Sequence, residues 1–190
     1  MIHPHALVDD TTAIGQNTNV WAFVHIMRGA VIGSHCNIGD HAFVESGAKI
    51  GNNVTIKNRV MIWEGVTVGD DVFVGPGVVF TNDRNPRSPR MPQARARYAD
   101  RANWLATTVV EQGCSIGAGA IICPGLILGK YSMIAAGSVV TKNVEPYSLV
   151  MGNPASHRGY VCSCGQKLTG HYKTVTCDFC GEQGSQRVSD

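Results

Sequence analysis

Every sixth residue from Ile2 to Phe80 is apolar: Ile2, Val8, Ile14, Val20, Ile26, Ile32, Ile38, Val44, Ile50, Ile56, Ile62, Val68, Val74 and Phe80. The residue four places after each from Ile2 to Val74 is small, with nothing larger than Val, as at Val24, Ala30, Cys36, Ala42 and Ala48. A helix of 3.6 residues per turn cannot keep a six-residue repeat on one face, whereas a strand keeps one face at every even step. The repeat therefore predicts very short strands joined by tight turns, around an interior too narrow for two large side chains. Gly15, Gly33, Gly39, Gly51, Gly69 and Gly75 follow the apolar residue directly. Together with Asn52, Asn53, Asp70 and Asp71 they are expected to supply the turn conformations. Three strands closing a triangle make an eighteen-residue coil, and each coil stacks on the next about 4.8 Å away. The pattern returns at Val110, Ile116, Ile122, Leu128, Ile134 and Val140. The fold class is all-β, a parallel β-helix of nearly seven coils, and a period held this long excludes an ordinary β-sandwich.

The repeat breaks once, over residues 81–107. This stretch holds Arg84, Arg87, Arg90, Arg95, Arg97 and Arg101, six of the ten arginines of the chain, against Asp83 and Asp100. Pro86, Pro89 and Pro92 rule out long regular structure, and a short helix is expected over residues 93–104. A loop of this length inside a repeat domain needs a use. It reads as an arm that crosses to a neighbouring copy, covers a cleft and offers guanidinium groups, Arg84 and Arg87 first, to phosphates. Residues eighteen apart lie one coil above another, which sets Asn82 over Glu64 and Thr81 over Trp63. By the same count His25 heads a column through Phe43 and Met61 to Val79. It lies three coils, roughly 14 Å, below Asn82.

A formal charge of +2 is too mild to argue for nucleic acid. No basic start with an apolar run resembles a signal peptide, and no apolar stretch is long enough to span a membrane. Cysteine usage points to a reducing, cytoplasmic setting. Cys36 and Cys114 occupy the small inward slot and Cys123 follows Ile122, so these three read as packing residues. The other four, Cys162, Cys164, Cys177 and Cys180, form C-x-C and C-x-x-C pairs, each followed by Gly. Thiolates at this spacing can close a tetrahedral structural zinc site, with Gly letting backbone amides turn toward sulfur and His171 as a possible substitute ligand. The chain divides into a coil domain, residues 1–156, and a small zinc-ribbon-like tail, residues 157–190.

The pattern [Ile/Val/Leu]-Gly-x-x-[small]-x over residues 2–156, ending in Gly152-Asn-Pro-Ala155, resembles the hexapeptide-repeat acyltransferases. That resemblance implies a left-handed coil and a homotrimer with active sites between subunits. Phe80-Thr-Asn-Asp-Arg-Asn-Pro-Arg87, Val20-Trp-Ala-Phe-Val-His-Ile26 and Gly33-Ser-His-Cys-Asn-Ile-Gly39 are similar to N-acetyltransferases of nucleotide-linked 3-amino sugars. Enzymes of that group act on UDP-2-acetamido-3-amino-2,3-dideoxyglucuronate or on dTDP-3-amino-3,6-dideoxyhexoses, and make precursors of cell-surface polysaccharides. The implied reaction is attack of the sugar amine on the thioester of acetyl-CoA. An amino-sugar amine can react neutral without a strong base, given proximity and a donor for the developing oxyanion. Asn82 is the first candidate for orienting it. Asp83 and Glu64 are candidates for taking the proton or holding the sugar, Trp63 for holding the sugar, and His25 for a base. The family's placement of CoA along the C-terminal coils implies backbone approach at Gly117, Ala118, Ala135 and Ala136, with Lys142 and Arg158 at its phosphates.

Three other functions fit the coil. An O-acetyltransferase would need a histidine base, since a hydroxyl must lose its proton. A γ-type carbonic anhydrase would need metal-binding histidines in the later coils, and no histidine falls between His41 and His157. A non-catalytic scaffold or ice-binding coil would want flat repetitive faces and no arginine arm.

Overall fold

The computed structural model describes residues 1–185. The last five residues assigned to the tail lie outside the described residues. Among the described residues twenty-one short strands, most of two residues, build three sheets, parallel throughout except for the last strand. Consecutive strands take turns among the three sheets, so the chain winds as a triangular prism. In one sheet Leu7 pairs with His25, His25 with Phe43, Phe43 with Met61 and Met61 with Val79, one coil per step. This is the stacked-coil architecture of a left-handed parallel β-helix of hexapeptide repeats. The arm does not disturb it: Phe80 pairs with Ile122 as though nothing intervened.

The core follows the two-slot pattern. Ile26, Ile32, Ile38, Ile56, Ile62, Ile116, Ile122 and Leu128 are fully buried, and Val24, Ala30, Cys36, Ala42 and Ala48 fill the small slot between them. Burial pushes the Cys114 thiol up to about 12 and raises that of Cys36, which suits packing residues.

The turn chemistry differs from the expectation. The left-handed residue lies three places after the aliphatic one, not directly after it: Asn17, Phe23, Gly29, His35, His41, Gly47 and so on, every sixth residue to Gly77. Gly15, Gly33 and Gly117 instead keep coils close together. A Cβ on Gly117 would lie 2.4 Å from the Ala136 nitrogen of the next coil. Of the four Asn and Asp residues assigned to turns, Asn53 and Asp71 take the left-handed position. Asn52 and Asp70 bind the coil below, Ser34 N donating to Asn52 Oδ1 at 2.9 Å and Asn52 N to Asp70 Oδ1 at 2.6 Å.

After the last coil, strand Ser148–Gly152 pairs in parallel with Met133–Ile134, and Ala155–Tyr160 returns antiparallel to it. The division expected at residues 156–157 falls within that return strand. Beyond it Cys162, Leu168 and Cys177 form a second small core. The tail docks through stacked rings: Tyr131 on Tyr147 at 5.2 Å, and Tyr147 on Tyr172 at 4.7 Å.

Candidate active site

The arm leaves the prism at one edge, and its base is clamped there. Trp63 Nε1 donates to Phe80 O at 3.0 Å, and Thr81 Oγ1 donates to Ile122 O at 3.0 Å. Asp83 bridges to Leu105, and Ala106 N donates to Asn82 O at 2.9 Å, so the arm closes like a hairpin. Leu105 sits against Gly65, where a Cβ would come within 3.1 Å of it.

Asn82 Nδ2 donates to Glu64 O at 3.2 Å. Only the amide nitrogen can face a carbonyl, so the chemistry fixes the orientation and turns Oδ1 away as a free acceptor. Glu64 lies directly beneath, as its spacing implied, but its carboxylate is paired with Arg101 Nη1 of the arm at 2.8 Å. Asp83 is engaged inside the arm. It pairs with Arg97, accepts from Tyr98 OH at 2.6 Å and accepts from Asn85 N at 2.9 Å. Partial burial pushes its carboxyl up, but the bonds from Tyr98, Asn85 and Arg97 outweigh this and hold it below the usual range. The Trp63 indole nitrogen is already used on Phe80, and its ring packs near Phe43 at 5.5 Å.

The arm's own secondary structure is shorter than expected: helix Pro92–Tyr98, then a separate 3-10 turn Arg101–Asn103 capped by Asp100 Oδ1. Arg97 and Arg101 hold the arm together. Arg84 reaches Gly125 O at 3.3 Å, and Arg87 Nη1 donates to Pro86 O. The guanidinium groups of Arg90 and Arg95 have no partner among the described residues. Arg84, Arg97, Asn103, Trp104 and Gly125 border a pocket of about 410 Å³ beside the arm base.

The remaining candidates do not all converge in one chain. His25 stays three coils below Asn82, its ring edge-on to Phe43 at 5.4 Å. Lys142 lies on the Asn82 edge, because strand Val139–Val140 continues the column of Val79–Phe80. Gly117, Ala118, Ala135 and Ala136 precede those strands and so form the opposite edge of the same sheet. Arg158 is exposed on the return strand.

In the tail, the sulfurs of Cys162, Cys164, Cys177 and Cys180 lie within 4.8 Å of one another. The Cys162–Cys180 pair is 3.5 Å apart and the Cys164–Cys177 pair 3.7 Å. A tetrahedron of thiolates around zinc at about 2.3 Å has edges of about 3.8 Å, so the donor set fits that ion. Backbone N–H groups of Cys180 and Phe179 point at the Cys177 sulfur and draw its thiol down. Backbone amides turn toward sulfur as expected, the Gln166 N–H after Gly165 also reaching Cys164, while the glycines' own amides close the turns, Gly165 N on Cys162 O and Gly181 N on Cys177 O. His171 lies outside the group of four sulfurs: its ring stacks on Tyr172 and is tilted against Tyr160, and its Nδ1 accepts from Lys173 N.

The bacterial transferase hexapeptide (six repeats) family model matches residues 11–46, 47–82 and 107–142, and skips the arm. The chain belongs to that hexapeptide-repeat transferase family. It is 49% identical to the dTDP-3-amino-3,6-dideoxy-alpha-D-galactopyranose 3-N-acetyltransferase of Aneurinibacillus thermoaerophilus, over 96% of this chain and 88% of that one. It is 30% identical to the galactoside O-acetyltransferase of Lactococcus lactis over 56% of this chain and about half of that protein, 49%. Among solved structures, a variant of AntD, an N-acyltransferase from Bacillus cereus in complex with dTDP and coenzyme A, shares the fold. Its TM-score is 0.51 at 16% identity, covering 84% of this chain and 82% of that one.

Proposed function

We propose that the protein is an acetyl-CoA-dependent N-acetyltransferase acting on the amino group of a dTDP- or UDP-linked 3-amino sugar. Such a sugar is a building block of cell-surface polysaccharide, and the cytoplasm is where it is activated. The near full-length likeness at 49% identity carries this reading. The geometry of Asn82 supports it. A free Oδ1 beside an arm base suits an amine donor and does not titrate. The neutral amine attacks the thioester carbonyl, the new C–N bond replaces the C–S bond, and the amine's proton leaves as the CoA thiol departs. Asn82 accepts a hydrogen bond from the amine and aims its lone pair. Asp83, Arg97 and Tyr98 hold the arm that carries Asn82, and Glu64 anchors it through Arg101.

The working unit is a homotrimer. The small-residue edge of Ala118 and Ala136 and the Asn82 edge flank one sheet. Its outward side chains, Leu7, Met61, Val79 and Ile121, are apolar and 63%, 45%, 47% and 39% exposed. A neighbour covering that face brings the Asn82 edge of one copy to the small-residue edge of another. Pantetheine then runs along Gly117, Ala118, Ala135 and Ala136, with Lys142 and Arg158 toward the phosphates and Arg84 and Arg87 toward the sugar nucleotide. The tail cysteines hold one structural zinc.

The test is acetyl transfer from acetyl-CoA to a panel of dTDP- and UDP-linked 3-amino sugars, followed by mass spectrometry of the sugar. An N-acetylated 3-amino sugar is the expected product. Transfer only to sugars that carry hydroxyls and no amine would overturn the reading in favour of an O-acetyltransferase.

A further inference from the structure

The left-handed position recurs on all three edges of the prism, but its occupants differ. On the Asn82 edge it is Gly29, Gly47, Gly65 and Gly125. On a second edge it is Asn17, His35, Asn53, Asp71, Gly113, Tyr131 and Tyr147; Asn and Asp tolerate this region, and the two tyrosine rings have a visible use in stacking under Tyr172 of the tail. On the third edge the upper coils have Gly77, Gly119 and Gly137. The lower coils have Phe23, His41 and Arg59, at φ of 60°, 58° and 61°. A Cβ is disfavoured in this region relative to glycine. Three successive coils accept that cost on one edge, and each places a planar group there.

The three groups form a ladder. Phe23 and His41 stack at 5.0 Å with planes 16° apart, His5 lies 5.6 Å from Phe23, and Arg59 is one coil above His41. Phe23 is 56% exposed. The ladder borders a groove of about 750 Å³ that also includes Asp40, Asn58 and Pro76. The Arg59 backbone N–H donates to Asp40 O, while its guanidinium has no partner among the described residues.

We propose that this groove binds a nucleobase with its phosphate. The base packs on the exposed side of the Phe23 ring, beside the tilted His5 and not between Phe23 and His41, and the phosphate meets Arg59. Stacking on an aromatic face tolerates any base, and a guanidinium adds paired contacts to phosphate oxygens. The proposal rests on the transferase reading and assigns the base to the nucleotide-linked sugar. This edge bounds the same sheet as Asn82. In the proposed trimer the Asn82 edge of a neighbour meets this edge, and along the prism axis Arg59 lies one coil below the level of Asn82 and Phe23 three, about 5 to 14 Å at the strand spacing. A ribose and a diphosphate span such a distance between an amino sugar and its base.

The experiment is calorimetric titration of the full chain with dTDP, UDP and 3′,5′-ADP, the last standing for the nucleotide half of CoA. Wild type should bind dTDP or UDP saturably. Phe23→Leu keeps the bulk and loses the ring face, and Arg59→Ala loses the charge. Each should weaken that binding by about tenfold or more. The KM for the amino-sugar nucleotide should rise in step, with the KM for acetyl-CoA nearly fixed. A loss confined to 3′,5′-ADP and to the KM for acetyl-CoA would keep the nucleobase site and overturn its assignment to the sugar. Unchanged affinity for all three ligands, in variants whose melting matches wild type, overturns the site. Binding is read without turnover, so intact dTDP binding with no acetyl transfer would count against the transferase reading alone.

Discussion

Asn82 has an amide nitrogen committed to Glu64 O and an oxygen that the same bond turns outward. If that oxygen orients the amine, Asn82→Ala should lower kcat by one to three decades, as a loss of about 1.4–4 kcal/mol of transition-state interaction would. The rise of kcat/KM with pH should keep its midpoint in the variant, because that midpoint belongs to the substrate amine. His25→Ala should cost less. A shifted midpoint, or a larger loss in His25→Ala, would show a titrating base in the mechanism. Asp83 behaves differently. Its folded pKa is lowered, so its contribution to stability is fully present above the unfolded carboxylate value and is lost as pH falls through the folded one. The melting temperature of wild type minus that of Asp83→Asn should therefore hold steady from neutral pH to about 4 and shrink below it. The eighteen-residue period made Asn82's neighbour Glu64 legible in the sequence. Asp83's partners were not legible, because Arg97 and Tyr98 lie 14 and 15 residues away in a segment without a period.

The arm and the tail are the two elements that break the repeat, and they were legible to different degrees. The cysteine spacing announced the four-sulfur cluster. Nothing in it announced the ring stack that seats the tail, because Tyr131, Tyr147 and Tyr172 meet only when the coils are closed. Protein purified without chelator should contain one zinc per chain by elemental analysis, and Cys162→Ser should lose nearly all of it. Zinc-free wild type would refute the metal site. His171→Ala should keep the metal, since its ring lies on Tyr160 and Tyr172 and not among the sulfurs. In the arm, the prolines announced a short helix but not its interruption. The helix stops at Tyr98, and the Asp100 side chain accepts from Ala102 N and starts a new turn.

At the scale of the molecule, the period alone dictated the prism, and the outward positions of its strands distinguish the three faces. One face runs Leu7, His25, Phe43, Met61, Val79 and Ile121, nearly all apolar, while another begins with Asn19, Asn37 and Thr55. Light scattering should give about three times the 20.3 kDa chain mass, and Met61→Asp should lower it. A chain mass at micromolar concentration in wild type would refute the trimer. The return strand Ala155–Tyr160 has a consequence of another kind. A stack of parallel coils has no internal reason to stop, and an exposed terminal ladder can accept the first coil of another molecule as readily as one of its own. Head-to-tail contacts of that sort do not close and produce filaments. Running antiparallel, the return strand occupies the last ladder of one face with the wrong polarity for a further parallel coil. A single blocked end is enough to prevent polymerisation, whatever the other end presents.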